Sequence, residues 1–198
     1  MKQIEITTNV RQSLNEVDRL LIGQGFKIIR KSRVEDQYMI MGVDPKSEED
    51  ILSTLSHSLL IRFLHVEGQD PSQKLTYKKK TYEGDTVLTE EKISVGINDT
   101  KKARELLEAL GFHKLVDVKY DVTVYEKEGI ELAFQQVENL GLLLEYESLK
   151  DYEASSNEEV LEAKKQMLEE LKGYQLDVTD DFDVKKAYQL IKNRMRGM

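Results

Sequence analysis

Two glutamates near the end of a predicted strand are the residues of this chain best placed to do chemistry. Glu145 and Glu147 lie two positions apart in residues 142–147, which follow a turn at residues 139–141. Residues two apart on a strand share a face, so the two carboxylates lie side by side. They repel each other unless a cation or a basic group lies between them. The pair therefore indicates either a solvated sheet face or a cation-binding site.

The composition excludes several other kinds of site. The 198 residues are 39% hydrophobic and 33% charged, which is typical of a globular domain and not of a disordered chain. The net charge of −8 argues against a nucleic-acid or anionic-membrane binder held by bulk charge, although a local basic cavity is compatible with it. There is no cysteine, which excludes thiol catalysis and thiolate metal sites. No apolar signal core or membrane-length segment occurs, and we expect a cytoplasmic protein.

Strand patterns dominate the chain up to residue 150 and helical patterns follow it. Strands are predicted at residues 3–8, 26–34, 37–43, 59–66, 74–80, 86–97, 116–125, 130–137 and 142–147. The second and third are predicted to form a hairpin that turns at Glu35 and Asp36. We therefore predict an α+β fold: a closed antiparallel β-barrel, or tunnel, of about eight or nine strands with helices packed outside. Residues 1–150 would form the barrel and residues 151–198 a helical extension that packs on it.

Charged residues of both signs share the strand faces that would line such a barrel. The alternation along the strands assigns to these faces Glu5, Glu90, Glu145 and Glu147 together with Arg62, Lys78, Lys92 and Lys119. Carboxylates can hold Mg²⁺ or Mn²⁺, and arginine and lysine can hold phosphate oxygens. Together they would bind a polyphosphate. The alternative is that these charges face solvent and that the opposite face, with Ile4, Ile6 and Ile61, forms the core.

Several short motifs occur in a fixed order over residues 3–150. They are Gln3-Ile4-Glu5-Ile6-Thr7, Asp36-Gln37-Tyr38-Met39-Ile40, Ser58-Leu59-Leu60-Ile61-Arg62, Leu75-Thr76-Tyr77-Lys78, the Leu-Gly-Phe of residues 110–112 with Val118-Lys119, and residues 137–147. In this order they resemble the CYTH superfamily, also called triphosphate tunnel metalloenzymes. That family includes class IV adenylate cyclases, thiamine triphosphatases and inorganic triphosphatases.

The resemblance implies a protein that binds, and in its active members hydrolyses, a triphosphate-containing compound with Mg²⁺ or Mn²⁺. It implies phosphate binding by Arg62, Lys78 and Lys119. It implies metal binding by Glu5, Glu145, Glu147 and Glu90. The expected partner is a triphosphate or another phosphorylated small molecule, with no nucleic acid and no membrane, and a homodimer is left open.

Several charged positions of the family pattern carry other residues in this chain. They are Gln3, Thr7, Leu60, Leu88, Asp121 and Gln135. Because Gln3 and Gln135 stand where the family pattern has carboxylates, we expect Mg²⁺ to bind weakly and Mn²⁺ better. Two classes of function stay open. One is a metal-dependent triphosphatase, with a class IV cyclase less favoured because nothing marks an adenine pocket. The other is an inactive relative that binds a ligand or a protein.

Overall fold

The computed structural model describes residues 4–84, 86–148 and 155–197. These residues form eight strands and five helices, which confirms the predicted α+β class. The strands are β1 Glu5–Asn9, β2 Lys27–Met41, β3 His57–Val66, β4 Ser72–Glu83, β5 Thr86–Ile97, β6 Phe112–Lys127, β7 Ile130–Val137 and β8 Gly141–Glu147. The helices are α1 Leu14–Gly23, α2 Glu48–Ser56, α3 Thr100–Ala109, α4 Asn157–Gly173 and α5 Lys186–Arg196. In this part of the chain no helix is long and apolar enough to cross a membrane.

The strands follow one hydrogen-bonded order, β1-β8-β7-β6-β2-β3-β4-β5. The pairs β1–β8, β7–β8, β2–β3, β3–β4 and β4–β5 are all antiparallel, as predicted. The chain divides into two compact units. The first contains the described residues of Met1–Lys31 and Asp121–Val184, and the second contains those of Ser32–Tyr120 and Lys185–Met198.

The first unit buries one face of β1, β7 and β8 against two amphipathic helices. α1 and α4 each begin with a capping box, in which Ser13 bonds with Glu16 and Ser156 with Glu159. Strand alternation and helical spacing bring the buried side chains into one core, which includes Ile6, Val17, Leu21, Leu132, Phe134, Leu144, Tyr146, Val160, Leu168 and Leu171. The opposite face of β1 and β8 carries Glu5, Thr7, Glu145 and Glu147 together with the buried Leu143.

The edge of β1 that does not contact β8 pairs with the chain after α4. The Thr7 N–H donates to the Phe182 carbonyl at 2.9 Å, and the Val184 N–H donates to the Thr7 carbonyl at 2.9 Å. Further along, the Thr179 N–H donates to the Asn9 carbonyl at 3.0 Å. The strand order runs from β1 to β5 without returning, so closure into a barrel stays a prediction.

The second unit packs α3 on one face of its strands. Met39, Ile61 and Leu107 are buried together there. Because neighbouring residues on a strand point to opposite faces, Tyr38, Leu60 and Arg62 lie on the other face. That second face carries the charged residues described below.

The hairpin predicted at Glu35 and Asp36 is wrong. Both residues lie inside the continuous strand β2, where Glu35 is opposite Phe63 and Asp36 is opposite Arg62 on β3. Neither residue supplies the positive φ that a tight hairpin turn needs, and extended pairing with β3 satisfies the backbone. The division at residue 150 stays a prediction, because residues 149–154 lie outside the described part. The structure assigns α4 to the first unit and α5 to the second.

One buried hydroxyl tests the pairing along the β1 edge. Thr8 is fully buried, and its Oγ1 donates to the Thr179 carbonyl at 3.0 Å. Thr8→Val keeps the volume and leaves that carbonyl without its donor. We expect a loss of about 1–2 kcal/mol in the free energy of unfolding, measured by urea denaturation. Unchanged stability would show that the segment after α4 does not depend on this bond.

Candidate functional site

Three lysines surround one glutamate on the polar face of the second unit. Lys78 Nζ lies 3.1 Å from Glu90 Oε1, and Lys92 Nζ lies 2.9 Å from the same oxygen. Lys80 Nζ lies 3.2 Å from Glu90 Oε2. The antiparallel register of β4 and β5 explains the arrangement, because it sets Lys78 opposite Lys92 and Lys80 opposite Glu90. We call these four residues the lysine cluster, and its positive charges outnumber its negative charge.

The cluster keeps its carboxylate ionised far below neutral pH. Burial raises the pKa of Glu90, but the charges of Lys78, Lys80 and Lys92 more than offset this and hold it at about 2. Burial lowers the pKa of Lys78, and repulsion from Lys92 adds to that effect, while Glu90 opposes it. Lys78 is therefore a partly dehydrated cation that gains from any further anion nearby.

Arg62 forms a bidentate pair with a buried carboxylate. Its Nε and Nη2 donate to the two oxygens of Asp36, each at 2.6 Å, and Nη2 lies 3.4 Å from the Tyr120 hydroxyl. Asp36 is only 3% exposed. Burial lowers the pKa of Arg62, but the hydrogen bond to Asp36 and the electrostatic interactions with Tyr120, Asp36 and Tyr38 together raise it by more, so the guanidinium stays charged. A third of the Arg62 side chain is still exposed, which leaves part of it able to meet a ligand.

Ser58 lies directly opposite Lys78 in the β3–β4 register. It is 1% exposed, and within the described residues its Oγ has no hydrogen-bond partner. Buried hydroxyls without a partner are uncommon in folded proteins. Ser58 is thus an unused donor beside the lysine cluster. Sequence reasoning missed it, although its position two residues before Leu60 assigns it to the same strand face.

Three of the four predicted metal-binding carboxylates, Glu5, Glu145 and Glu147, lie on the polar face of β1 and β8 in the first unit. Glu5 is opposite Glu147 and Thr7 is opposite Glu145. Glu145 Oε2 accepts a hydrogen bond of 2.9 Å from Gln135 Nε2. Across the three described segments, no group of three or more histidine or acidic side chains converges as a metal site. The glutamates of β1 and β8 are still compatible with Mg²⁺ or Mn²⁺. Such ions are often held by only one or two carboxylates together with the phosphates of a ligand.

The structure brings only some of the predicted site residues together. Arg62, Lys78, Lys92 and Glu90 share one face of the second unit, and Lys80 joins them. Lys119 does not, because its Nζ lies 3.6 Å from Glu35, which points away from the face of Asp36 and Arg62. Gln3 lies outside the described residues.

The position of Glu90 bears on its predicted role as a metal ligand. Its two oxygens already contact three ammonium groups, and this environment opposes the entry of a divalent cation. These contacts fit a role for Glu90 as an internal counter-ion of the three lysines. Metal binding by Glu90 stays a prediction.

Comparison with known proteins finds relatives over nearly the whole chain. No protein-family model matches. A protein of Methanocaldococcus jannaschii, named as a candidate adenylate cyclase, is 31% identical over 189 residues, which cover 95% of this chain and 97% of the relative. The PH1819 protein of Pyrococcus horikoshii has a similar structure, with a TM-score of 0.71 and 24% identity over 97% of this chain and 99% of that one. HpAC1 of Hippeastrum has a TM-score of 0.63 and 15% identity over 98% and 96% of the two chains. It is described as a candidate adenylyl cyclase with a dominant triphosphatase activity.

The low pKa of Glu90 predicts how acid affects stability. Its pKa in the folded state, about 2, lies below its ordinary value of 4.5, so its stabilising contribution is complete above pH 4.5 and is lost as the pH falls through 2. Urea denaturation measures the free energy of unfolding of the wild type and of Glu90→Gln. The difference between the two proteins should be smaller at pH about 2.5 than at pH about 7. Glu91→Gln is the control, because Glu91 is exposed and lies 3.9 Å from Lys79 on the other face. A difference that does not change with pH would contradict the assigned contacts.

Proposed function

The chain belongs to the CYTH superfamily, and we propose that it binds the triphosphate group of a small molecule through the lysine cluster and Arg62. The single observation that carries this proposal is the set of three lysines around one glutamate. Their excess positive charge lies on a partly buried face of a protein whose net charge is −8. A compact, highly charged anion fits such a local cluster better than an extended polyanion, which the whole protein repels.

The chain's own groups would divide the work of binding. Lys78, Lys80 and Lys92 would donate charge-assisted hydrogen bonds to phosphate oxygens while Glu90 keeps them close together. Arg62 would add its partly exposed side chain, and Ser58 a neutral donor opposite Lys78. A triphosphate should bind more tightly than a monophosphate, because it can use several of these donors at once. That the sheet closes into a barrel around the ligand, as the resemblance implies, belongs to the same proposal.

A divalent ion, Mg²⁺ or Mn²⁺, is the cofactor we propose. Glu5, Glu145 and Glu147 would hold it, and when bound it would neutralise phosphate charge and polarise the phosphoryl group. Gln135 donates to Glu145, and so fixes that carboxylate without adding a negative charge. We therefore expect weak Mg²⁺ binding and tighter Mn²⁺ binding.

Hydrolysis of the bound triphosphate is the second candidate function. The three glutamates on the polar face of β1 and β8 favour it over binding alone, since binding of an anion needs no carboxylates. The Methanocaldococcus jannaschii relative is named as a candidate cyclase, and the Hippeastrum protein is described as mainly a triphosphatase. We favour triphosphatase over cyclase chemistry for this chain because nothing in its sequence marks an adenine pocket.

Tripolyphosphate binding tests the proposal directly. We expect tripolyphosphate to raise the melting temperature more than monophosphate does, and the shift to shrink at high salt. Lys78→Ala should weaken the affinity about tenfold or more, because it removes one charge-assisted contact. Lys79→Ala is the matched control, because Lys79 lies next to Lys78 but points to the opposite face and is half exposed. Equal effects of the two changes, or no shift with any polyphosphate, would contradict the proposal.

Turnover separates the two candidate functions. Phosphate release from tripolyphosphate or a nucleoside triphosphate is measured with added Mn²⁺ for the wild type and for Glu147→Gln. Release that Glu147→Gln reduces by about 10²-fold would establish hydrolysis. Tight binding without release would establish a binding protein. Release that is unchanged in Glu147→Gln would show that the metal is held elsewhere.

A further inference from the structure

The first part of β2, residues 27–31, is a strand segment whose two faces are both exposed. All five of its residues are exposed, whereas buried side chains recur along β2 from Val34 onward. Because side chains alternate along a strand, the first, third and fifth residues share one face and the second and fourth share the other. Neither face of this segment is therefore used to pack the core. We call residues 27–31 the basic strand end.

One backbone edge of the basic strand end has no neighbouring strand in the described part of the chain. In the sheet β2 lies between β6 and β3, and its pairing with β3 begins at Ser32, which is opposite Val66. Val66 is the last residue of β3, so β3 does not continue beside residues 27–31. An unpaired strand edge presents N–H and C=O groups that can pair with an added strand.

The residue before the basic strand end fixes its position. Phe26 is 2% exposed, and its N–H donates to the Leu21 carbonyl at 3.0 Å. Its ring packs edge-on against the ring of Tyr174, with 5.3 Å between the centroids. At its other end the segment continues directly into the part of β2 that pairs with β3. The segment is thus held extended before a partner arrives, which lowers the cost of ordering it on binding.

The basic strand end carries three cations without counter-ions. Among the residues that the structure describes, Lys27, Arg30 and Lys31 form no salt bridge, although the whole protein has a net charge of −8. Ile28 and Ile29 lie between them and are 38% and 49% exposed. The three charges repel a second copy of the same edge, because like charges on paired strands are destabilising. They attract a strand that carries acids on either side of apolar residues.

We propose that the basic strand end binds an acidic, extended peptide segment of another protein, which adds a strand beside β2 in line with β3. An antiparallel added strand would place acids opposite the three cations and apolar residues opposite the two isoleucines. Its core sequence, from the N-terminus to the C-terminus, is then Glu-Glu-Val-Val-Glu. The proposal uses no residue of the lysine cluster and does not depend on the proposed function.

Fluorescence anisotropy of a labelled peptide tests the proposal on the full chain. The peptide is Ser-Gly-Glu-Glu-Val-Val-Glu-Gly-Ser, and we expect saturable binding that weakens at high salt. Arg30→Glu should weaken the affinity about tenfold or more, because it turns an attraction into a repulsion. A peptide with lysine in place of its second glutamate, the one opposite Arg30, should restore binding to this variant. Arg30 is exposed, so the variant should fold as the wild type does.

Lys165→Glu is the matched control. It makes a comparable reversal from positive to negative on α4, where the lysine side chain is 64% exposed. The affinity for the peptide should change by less than about twofold, because distant exposed charges are screened by salt. Equal weakening by Arg30→Glu and Lys165→Glu would show that the peptide responds only to the net charge, and would overturn the proposal.

Two N-methylated peptides separate strand addition from charge attraction. Adjacent residues of a strand direct their N–H groups to opposite sides, so only one of the two valines can donate to β2. N-methylation of that valine should weaken binding about fivefold or more, and N-methylation of the other should change it little. Equal effects of the two changes would overturn the added strand.

The remaining outcomes identify other occupants. No binding of the peptide would overturn the proposal. Binding to phosphatidylserine vesicles without binding of the peptide would also overturn it and would assign the basic strand end to an anionic membrane surface. Tripolyphosphate binding is measured separately and involves other residues, so failure of this proposal leaves the proposed function intact, and the reverse also holds.

Discussion

The pairing of Arg62 with Asp36 is the interaction on which the polar face of the second unit depends. Asp36 is almost fully buried, and a buried carboxylate is stable only when it is paired and hydrogen-bonded. The two bonds from Arg62 meet this need and join β2 to β3, while the same guanidinium contacts Tyr120. Removing Arg62 would leave the Asp36 charge unpaired, at a cost of about 3–5 kcal/mol. Arg62 is therefore a structural residue as well as a candidate ligand, and the lysines report more cleanly on binding.

Glu90 has a comparable role for the lysines of β4 and β5. Without it, three ammonium groups on adjacent strands would repel one another, because like charges opposite each other destabilise a sheet. With it, the cluster is held together before any ligand arrives, which reduces the cost of ordering long side chains on binding. The same carboxylate also competes with an incoming anion for the lysine donors. Affinity then depends on how well phosphate oxygens share these donors with Glu90, which favours ligands that carry several negative charges.

Strand alternation predicted much of this fold and only part of the site. The predicted bounds of β5 and β7 coincide with those observed, because turn residues flank both strands. The hairpin at Glu35 and Asp36 was wrong, since two adjacent acids looked like a turn, and only the pairing with β3 shows that Asp36 is buried opposite Arg62. Alternation also divides β6 into two sets of side chains but does not say which set faces Arg62. In the structure it is Tyr120 that faces Arg62, whereas its neighbour Lys119 contacts Glu35. Glu48 accepts hydrogen bonds from Tyr188, Lys192 and Arg196 of α5, and local sequence patterns carry no signal of contacts between residues more than a hundred positions apart.

The distribution of charge on this face differs from the pattern that the resemblance implies. Leu60 occupies the position of the first arginine on its strand, and it is fully buried with Tyr38 and Thr76 opposite it. It provides no donor and contributes to the core. The positive charge lies instead mainly on the lysines of β4 and β5. A ligand on this face would therefore be held mainly by flexible ammonium groups and less by the planar, bidentate geometry of arginine. Such groups adapt to several phosphate arrangements, so the physical expectation for this chain is recognition of charge density rather than of one exact phosphate geometry.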